Sequence, residues 1–417
     1  MSINAPATSQ RAALGGVQLP VVGLFKAAAV LAALALLVLM SVASPTYGAF
    51  WAFGLAFGVI LQRSRLCFAS AFRDLFLLRD GRTMRAILVA IGLATIGFAL
   101  IMSKAVPDPS AGALPDQAHV IPLGWYLVVG GVTFGLGMVI AGGCVSGTLY
   151  RIGEGYVASL VSLLGILVGL ELAAHTWNWW YHTEVAKAPV VWLPNIFGYV
   201  GAIVVTIALL ALAYVLTLWR EAGRGPQIPI RRKTEVEPPT VQGQLARTYK
   251  RWFVSGWPIT TGALALAILN VFAYTFDHPL GVTGELGTWA ERGSGLFGLG
   301  AGPLDGASTL AGCNLVAGNG ASWLTGNFAL DAGLVFGAFV AAVLASEFKL
   351  RFPRQKIRYG QSLVGGSLMG YGAGIAAGCT IGAFFSAVPS LGLNGWVFGL
   401  SLLAGAAGGV QVIKRIA

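Results

Sequence analysis

The sequence predicts an all-α polytopic membrane protein with an inverted pseudo-two-fold repeat, and three observations carry that prediction. First, 56% of the residues are hydrophobic, 10% are charged, and the mean hydropathy is +0.76; a soluble domain carries roughly 25% charged residues. Second, a glycine-rich segment ending near a cysteine occurs twice. Third, the basic residues gather between apolar runs, as the positive-inside rule requires. The net charge of +11 therefore indicates membrane topology, and we do not expect nucleic-acid binding.

Apolar runs predict the spanning helices in order. The first run could be a signal peptide, but its length favours a retained helix. The Trp-rich stretch 175–192 suits the membrane interface, and the acidic stretch 277–291 is expected outside. Glycines between residues 293 and 326 predict broken, re-entrant helices, which need cover from protein or water. Besides the duplicated segment, the predicted spans are residues 27–42, 50–61, 86–102, 156–172, 196–218, 257–276, 330–345, 361–377 and 396–413.

The duplicated segment reads GGVTFGLGMVIAGGCVSG at residues 130–147 and GGSLMGYGAGIAAGCTIG at residues 365–382, with nine of eighteen positions identical. Small residues at this spacing let helices approach closely in lipid, which accounts for most of the glycines. Glycines beside the cysteines can also turn backbone N–H groups toward an anion. The candidate contacts of this kind are Gly143, Gly147, Gly378 and Gly382.

Charge divides the chain into four parts: a disordered N-terminus (1–24), a first membrane repeat (25–218), a basic linker (219–256) and a second membrane repeat (257–417). The linker holds eight basic residues, so the linker and the C-terminus are predicted to be cytoplasmic. The first copy of the duplicated segment runs inward from an acidic loop, and the second runs outward from a basic one. The copies are therefore expected to be antiparallel, which places a transport site at mid-membrane.

The sequence has four cysteines and no C-x-x-C spacing. Its four histidines fall in loops predicted to lie outside, so we expect no zinc, haem or iron–sulfur site and no cofactor. A free cysteine is often only a small buried hydrophobic residue, but Cys144 and Cys379 stand at equivalent places in the duplication. A thiol is a weak donor and a weak acceptor, which suits brief contact with a soft sulfur ligand.

Charged residues lie at the edges of the cysteine segments. Arg63 and Arg65 could supply the cations that activate Cys67. The pairs Arg73–Asp74 and Arg151–Glu154 could attract an anion, but ion pairs that pin a re-entrant loop are the favoured interpretation.

Three segments resemble the cysteine motifs of the YeeE/YedE family, the sulfur transport domain proteins: RSRLCFASAFRD (63–74), AGGCVSGTLYRIGEG (141–155) and AAGCTIG (376–382). The resemblance implies an hourglass with re-entrant helices around a central path. It also implies uptake of thiosulfate by a relay along the thiols of Cys67, Cys144 and Cys379. Cys313, in LAGCNLVAGNG, lies outside the three motifs and is an additional candidate contact.

The resemblance further implies a multi-pass protein of the inner membrane that is a transporter and not an enzyme, with a TusA-like sulfur carrier as a candidate cytoplasmic partner. Two alternatives stay open: a sulfur-transfer factor that forms a persulfide on Cys67, and a transporter of a selenium species. A third, a glycine-packed scaffold, predicts no uptake. The sequence does not choose between thiosulfate, sulfite, sulfide and a selenium species, and it fixes neither ion coupling nor oligomeric state.

Overall fold

Helices make up most of the residues that the computed structural model describes, which are 19–221, 249–307, 310 and 324–416. A π-helix spans Thr380–Ser386 between the last two α-helices. The α-helices are α1 (Leu19–Ala43), α2 (Pro45–Ser64), α3 (Phe68–Leu77), α4 (Arg82–Ala105), α5 (Trp125–Ala141), α6 (Val145–Gly153), α7 (Val157–Thr183), α8 (Leu193–Glu221), α9 (Ile259–Phe276), α10 (Thr283–Gly295), α11 (Gly326–Leu344), α12 (Ile357–Ile375) and α13 (Leu393–Ile416).

Nine helical segments of the described chain are long and apolar enough to cross a membrane. Two of them are composite: α2 continues into α3, and α5 continues into α6, each with a cysteine at the junction. A third pair, α12 and the π-helix, is bent by 49° at the break that contains Cys379. The prediction of an all-α, multi-pass membrane protein is confirmed.

Most predicted spans lie inside observed helices, and the helices are longer. For example, α8 (Leu193–Glu221) encloses the predicted span 196–218. One expectation was wrong: α1 begins at Leu19, so the predicted N-terminal disorder does not extend over residues 19–24. Helix α1 packs on α2 and α11, so it is part of the helical assembly. That it is a retained helix and not a cleaved signal peptide stays a prediction.

The acidic stretch 277–291 is largely helical, and its position outside the membrane stays a prediction. Helix α10 begins at Thr283, and Glu285 in its first turn is only 3% exposed. The carboxylate of Glu285 accepts hydrogen bonds from Trp289 Nε1 (2.9 Å) and Thr325 Oγ1 (2.7 Å). These bonds replace the water that the charge would otherwise need, and charge counting alone does not reveal them.

The two halves exchange packing partners. In the first half α2 packs on α11, and α4 packs on α9; likewise α7 packs on α12, and α5 packs on α13. Suppose that α2, α3, α4 and α5 correspond in order to α9, α10, α11 and α12, and that α7 corresponds to α13. The α2–α11 contact then corresponds to the α9–α4 contact, and the α7–α12 contact corresponds to the α13–α5 contact. This reciprocity is what an approximate two-fold axis in the membrane plane would produce.

The glycines of the duplicated segment make the central contact between α5 and α12. A Cβ at Gly137 would lie 2.6 Å from the Gly365 carbonyl oxygen, and a Cβ at Gly130 would lie 2.8 Å from that of Gly372. The earlier residue of α5 thus contacts the later residue of α12, so the two helices run antiparallel. Only glycine permits backbones this close, which confirms the packing interpretation for these positions.

Candidate functional site

Each of the three motif cysteines stands immediately before a helix that starts inside the protein. Cys67 precedes α3, Cys144 precedes α6, and Cys379 precedes the π-helix; all three have extended backbone. All three thiols are free, and their exposed fractions are 4%, 1% and 0%. The sequence places three soft thiols at chain breaks within the membrane-spanning assembly.

Cys67 and Cys144 meet at Gly147; we call them the inner thiol pair. A Cβ added at Gly147 would lie 3.2 Å from Cys144 Sγ and 3.4 Å from Cys67 Sγ. The two thiols are within hydrogen-bonding reach of each other, and the Gly147 N–H faces Cys144 Sγ. Gly147, predicted to matter for its N–H group, therefore also leaves open the space between the two sulfur atoms.

The cation that faces the inner thiol pair is Arg151. Its Nη1 donates to the Gly142 carbonyl oxygen (2.6 Å), and its charge acts on Cys67. The expectation that Arg63 and Arg65 activate Cys67 was wrong, because both lie against Glu347, at 3.5 and 3.3 Å. Arg151 follows Cys144 by about two helical turns, so the fold, not sequence proximity, brings it to Cys67.

Of the two other predicted ion pairs, one is present in the structure and one is not. Arg73 Nε binds Asp74 Oδ1 at 2.8 Å, as expected. Arg151 and Glu154 form no ion pair within the described chain, because Glu154 Oε1 instead accepts from Gln62 Nε2 at 3.2 Å. Burial raises the pKa of Glu154, and the hydrogen bond from Gln62 offsets part of that rise.

Cys379 has a different set of neighbours, and we call Cys379, Thr283 and Thr380 the outer site. The backbone N–H groups of Ile381 and Gly382 face Cys379 Sγ, as does the start of α10 at Val282 and Thr283. The two halves are joined beside the cysteines by aromatic contacts: the rings of Phe68 and Phe385 have centroids 5.4 Å apart.

His119 holds the loop before Cys379, a role that the sequence did not reveal. It lies in the loop before α5, as the loop prediction requires, but it is only 2% exposed, and its Nε2 donates to the Ala377 carbonyl oxygen (3.2 Å). Its Nδ1 accepts from Asn394 Nδ2 at 3.4 Å. Burial lowers the pKa of His119 to about 4, so the imidazole is neutral at pH 7. His175 and His182 depart from the expectation of a loop, since both lie on α7.

The remaining candidates lie close to these groups or outside the described chain. A Cβ at Gly143 would meet Arg151 Nη1 at 3.1 Å, and one at Gly378 would meet His119 Nε2 at 3.0 Å. Both glycines therefore lie beneath the side chains that hold the two loops. Cys313 lies outside the described residues. Within the described chain, no group of three or more His, Cys, Asp or Glu side chains could hold a metal ion.

Comparison with known proteins finds the same kind of molecule. The sulphur transport family matches residues 63–408. A thiosulfate transporter, TsuA, of Spirochaeta thermophila is 30% identical over 362 residues, which cover 84% of this chain and 94% of the relative. TsuA of Escherichia coli is 29% identical over 362 residues, covering 82% and 88%. The probable transporter YedE of Salmonella typhimurium is 32% identical over 188 residues, 44% of each chain.

The match spans both halves and includes Cys67, Cys144 and Cys379, the three positions at which the structure begins a helix behind a buried thiol. The chain belongs to the sulphur transport family, also called the YeeE/YedE family.

Proposed function

We propose that this protein takes up thiosulfate, or a closely related inorganic sulfur anion, across the inner membrane. The observation that carries the proposal is the inner thiol pair, two buried free thiols that meet at Gly147 in a chain similar over most of its length to two thiosulfate transporters. The basic linker and the C-terminus are cytoplasmic in this proposal, so Cys67 lies on the cytoplasmic side of the path.

The anion passes along Cys379, Cys144 and Cys67 by transient S–H hydrogen bonds to its terminal sulfur. Such bonds are weak, so no station holds the ion long, and weak stations in series permit both entrance and exit. The N–H groups of Gly147 and Gly382 point at the thiols they follow. The helix starts at α3 and α6, together with Arg151, offset the cost of bringing a dianion into the membrane.

A second candidate is a sulfur-transfer factor. In that reaction the Cys67 thiolate attacks the terminal sulfur of thiosulfate, the S–S bond of the ion breaks, and sulfite leaves, so that Cys67 becomes a persulfide. A TusA-like carrier at the cytoplasmic face would then accept the sulfur. The 4% exposure of Cys67 favours permeation, because a carrier protein needs direct access to the persulfide.

The test is uptake of thiosulfate labelled in its terminal sulfur by proteoliposomes that contain the purified protein. Alanine at Cys67, Cys144 or Cys379 should each lower the initial rate at least tenfold, and Cys313→Ala tests whether the cysteine outside the three motifs is an additional contact. Unlabelled selenite, sulfite and sulfate test the selenium alternative and the choice among sulfur anions.

Mass spectrometry on the same samples separates the two candidates. Uptake with unmodified thiols supports permeation. An added sulfur on Cys67, with sulfite released and no label retained in the lumen, would replace the permeation proposal with sulfur transfer. Full uptake by the Cys144→Ala variant would remove the relay.

A further inference from the structure

The start of α10 is the structural counterpart of the start of α3. In the first half α3 packs against α13, and in the second half α10 packs against α7. Because α7 and α13 exchange places in the packing of the two halves, the helices that touch them correspond. Cys67 precedes α3 in the first half, and Val282 precedes α10 in the second. The second half thus has a helix start where the first half carries its additional thiol.

This counterpart faces Cys379 as Cys67 faces Cys144. The Val282 backbone and the Thr283 side chain approach the Cys379 thiol, just as the Cys67 side chain approaches the Cys144 thiol. The chemistry differs between the two places. Beside Cys144 the neighbouring group is the thiol of Cys67. Beside Cys379 it is the hydroxyl of Thr283, which is one residue after Val282, the counterpart of Cys67.

The Thr283 hydroxyl is buried beside a weak partner. Thr283 is 3% exposed, and its Oγ1 makes no hydrogen bond to a nitrogen or oxygen atom among the described residues; the group it approaches is the Cys379 thiol, a weak donor and a weak acceptor. Thr380, the residue after Cys379, is 0% exposed, and its Oγ1 has no hydrogen-bond partner among the described residues. Leaving a buried polar group unpaired costs about 1–3 kcal/mol. Two buried hydroxyls without a strong partner, one approaching the Cys379 thiol and one on the residue after Cys379, indicate a site built for a ligand that arrives with its own acceptors.

The duplication shows that these hydroxyls are specific to the second half. Thr380 aligns with Val145 of the first copy, and Thr283 corresponds to Phe68. Both first-half counterparts are apolar and fully buried. The outer site therefore has one thiol and two hydroxyls where the inner thiol pair has two sulfur atoms.

We propose that Thr283, supported by Thr380, binds the oxygen end of the sulfur anion at the outer site while Cys379 contacts its sulfur end. A hydroxyl is a stronger donor to an anionic oxygen than a thiol is. Thiosulfate has one soft sulfur and three oxygens, so a thiol and a hydroxyl together fix its orientation before it reaches Cys144. This inference rests on the proposed function and names the residue that selects the anion from the outer side.

The experiment compares initial uptake rates across a range of thiosulfate concentrations. Right-side-out membrane vesicles come from a host without its own thiosulfate uptake, so that substrate meets the outer site first. Thr283→Val keeps the shape and removes the hydroxyl; it should raise KM about tenfold or more, since hydrogen bonds to charged groups are worth about 1.5–3 kcal/mol. Thr283→Ser retains the donor and should stay within about twofold of the original protein.

Thr206→Val is the matched control. Thr206 on α8 is also fully buried with a hydroxyl that has no partner among the described residues, but it is not among the groups that approach Cys379. Thermal unfolding in detergent is recorded for every variant. The proposal predicts a change in KM at Thr283 alone, rescue by serine, and matching melting temperatures for the two valine variants.

The outcomes are distinguishable from failure of the proposed function. If the unmodified protein takes up no thiosulfate, the proposed function fails before any variant is compared. If it does take up thiosulfate, the Thr283 proposal is overturned by a Thr283→Val variant with unchanged KM. It is equally overturned if valine and serine lower Vmax and melting temperature together, which would make Thr283 a packing residue.

Discussion

The inner thiol pair and the outer site are two solutions to one structural problem. In both, an antiparallel helix ends in a tight loop, a cysteine follows, and a new helix starts. The equivalent loop residues are Gly142 and Ala377, and the carbonyl oxygen of each accepts one side-chain hydrogen bond. Arg151 supplies it at the inner pair (2.6 Å), and neutral His119 supplies it at the outer site (3.2 Å).

This difference separates what the scaffold requires from what each end does. A donor to the loop carbonyl is common to both halves, so it is part of the scaffold. The charge differs between the two ends: a guanidinium lies at the inner thiol pair, and an uncharged imidazole lies at the outer site. Under the proposed function, this difference in charge attracts the anion from the outer site toward the inner thiol pair.

The largest expected effect comes from closing the gap at the inner pair. Gly147→Ala puts a methyl group 3.2 and 3.4 Å from the two sulfur atoms. The thiols can shift by a few tenths of an ångström, so the fold should survive, but an anion would lose its place between them. We expect at least a tenfold loss of thiosulfate uptake with little change in melting temperature.

Gly408→Ala on α13 is the control for that change, because its new methyl would meet Leu136 Cδ1 at an ordinary 3.6 Å. Equal uptake by the two variants would show that the inner pair is not on the path. It would also remove the contrast between a two-thiol inner end and a one-thiol outer end.

The sequence predicts the helices and the motif cysteines well, but it does not predict the other residues of the site. Hydropathy placed α8 within three residues at each end, because lipid exposure imposes an apolar composition along the whole helix. The duplication predicted Cys144 and Cys379 because glycine and cysteine were retained in both copies. The antiparallel contact of α5 and α12 follows from the same glycines.

Thr283, Arg151 and His119 could not be assigned to their roles in the same way. The sequences of α3 and α10 share no visible pattern, so only packing reveals that Thr283 is the counterpart of the Cys67 region. His119 reaches Ala377 from a loop in the other half of the chain. A histidine in a loop is predicted to be exposed unless the chain segments that bury it are known, and a charge count holds no such information.

The next prediction tests the neutral donor at the outer site through pH. His119 has a folded-state pKa of about 4 against an ordinary value of 6.5. Between these values the unfolded chain binds a proton that the folded protein does not, so this histidine lowers the free energy of unfolding as pH falls from 6.5 to 4. Above pH 6.5 it contributes no pH dependence. The full contribution is at most about 3 kcal/mol.

His119→Gln removes that titration while an amide can still donate to the Ala377 carbonyl oxygen. The melting temperature of the original protein should fall more steeply than that of His119→Gln between pH 6.5 and pH 4.5, and the two slopes should agree above pH 7. Identical slopes for the two proteins would mean that His119 is not held neutral at the outer site.

The smallest effect concerns the loop residues themselves. Gly142 has φ +76° and Ala377 has φ +50°, so both lie in the left-handed region, which costs a residue with a Cβ about 1 kcal/mol or more. A Cβ at Gly142 meets no atom within 4 Å, so Gly142→Ala isolates that backbone cost. We expect it to lower the melting temperature by a few degrees, and Ala377→Gly to raise it or leave it unchanged, since glycine relieves the strain but gains freedom in the unfolded chain. A lower melting temperature for Gly142→Ala, together with an equal or higher one for Ala377→Gly, would show that the two loops share one backbone conformation and differ only in the side chains that hold them. A higher melting temperature for Gly142→Ala would refute that equivalence.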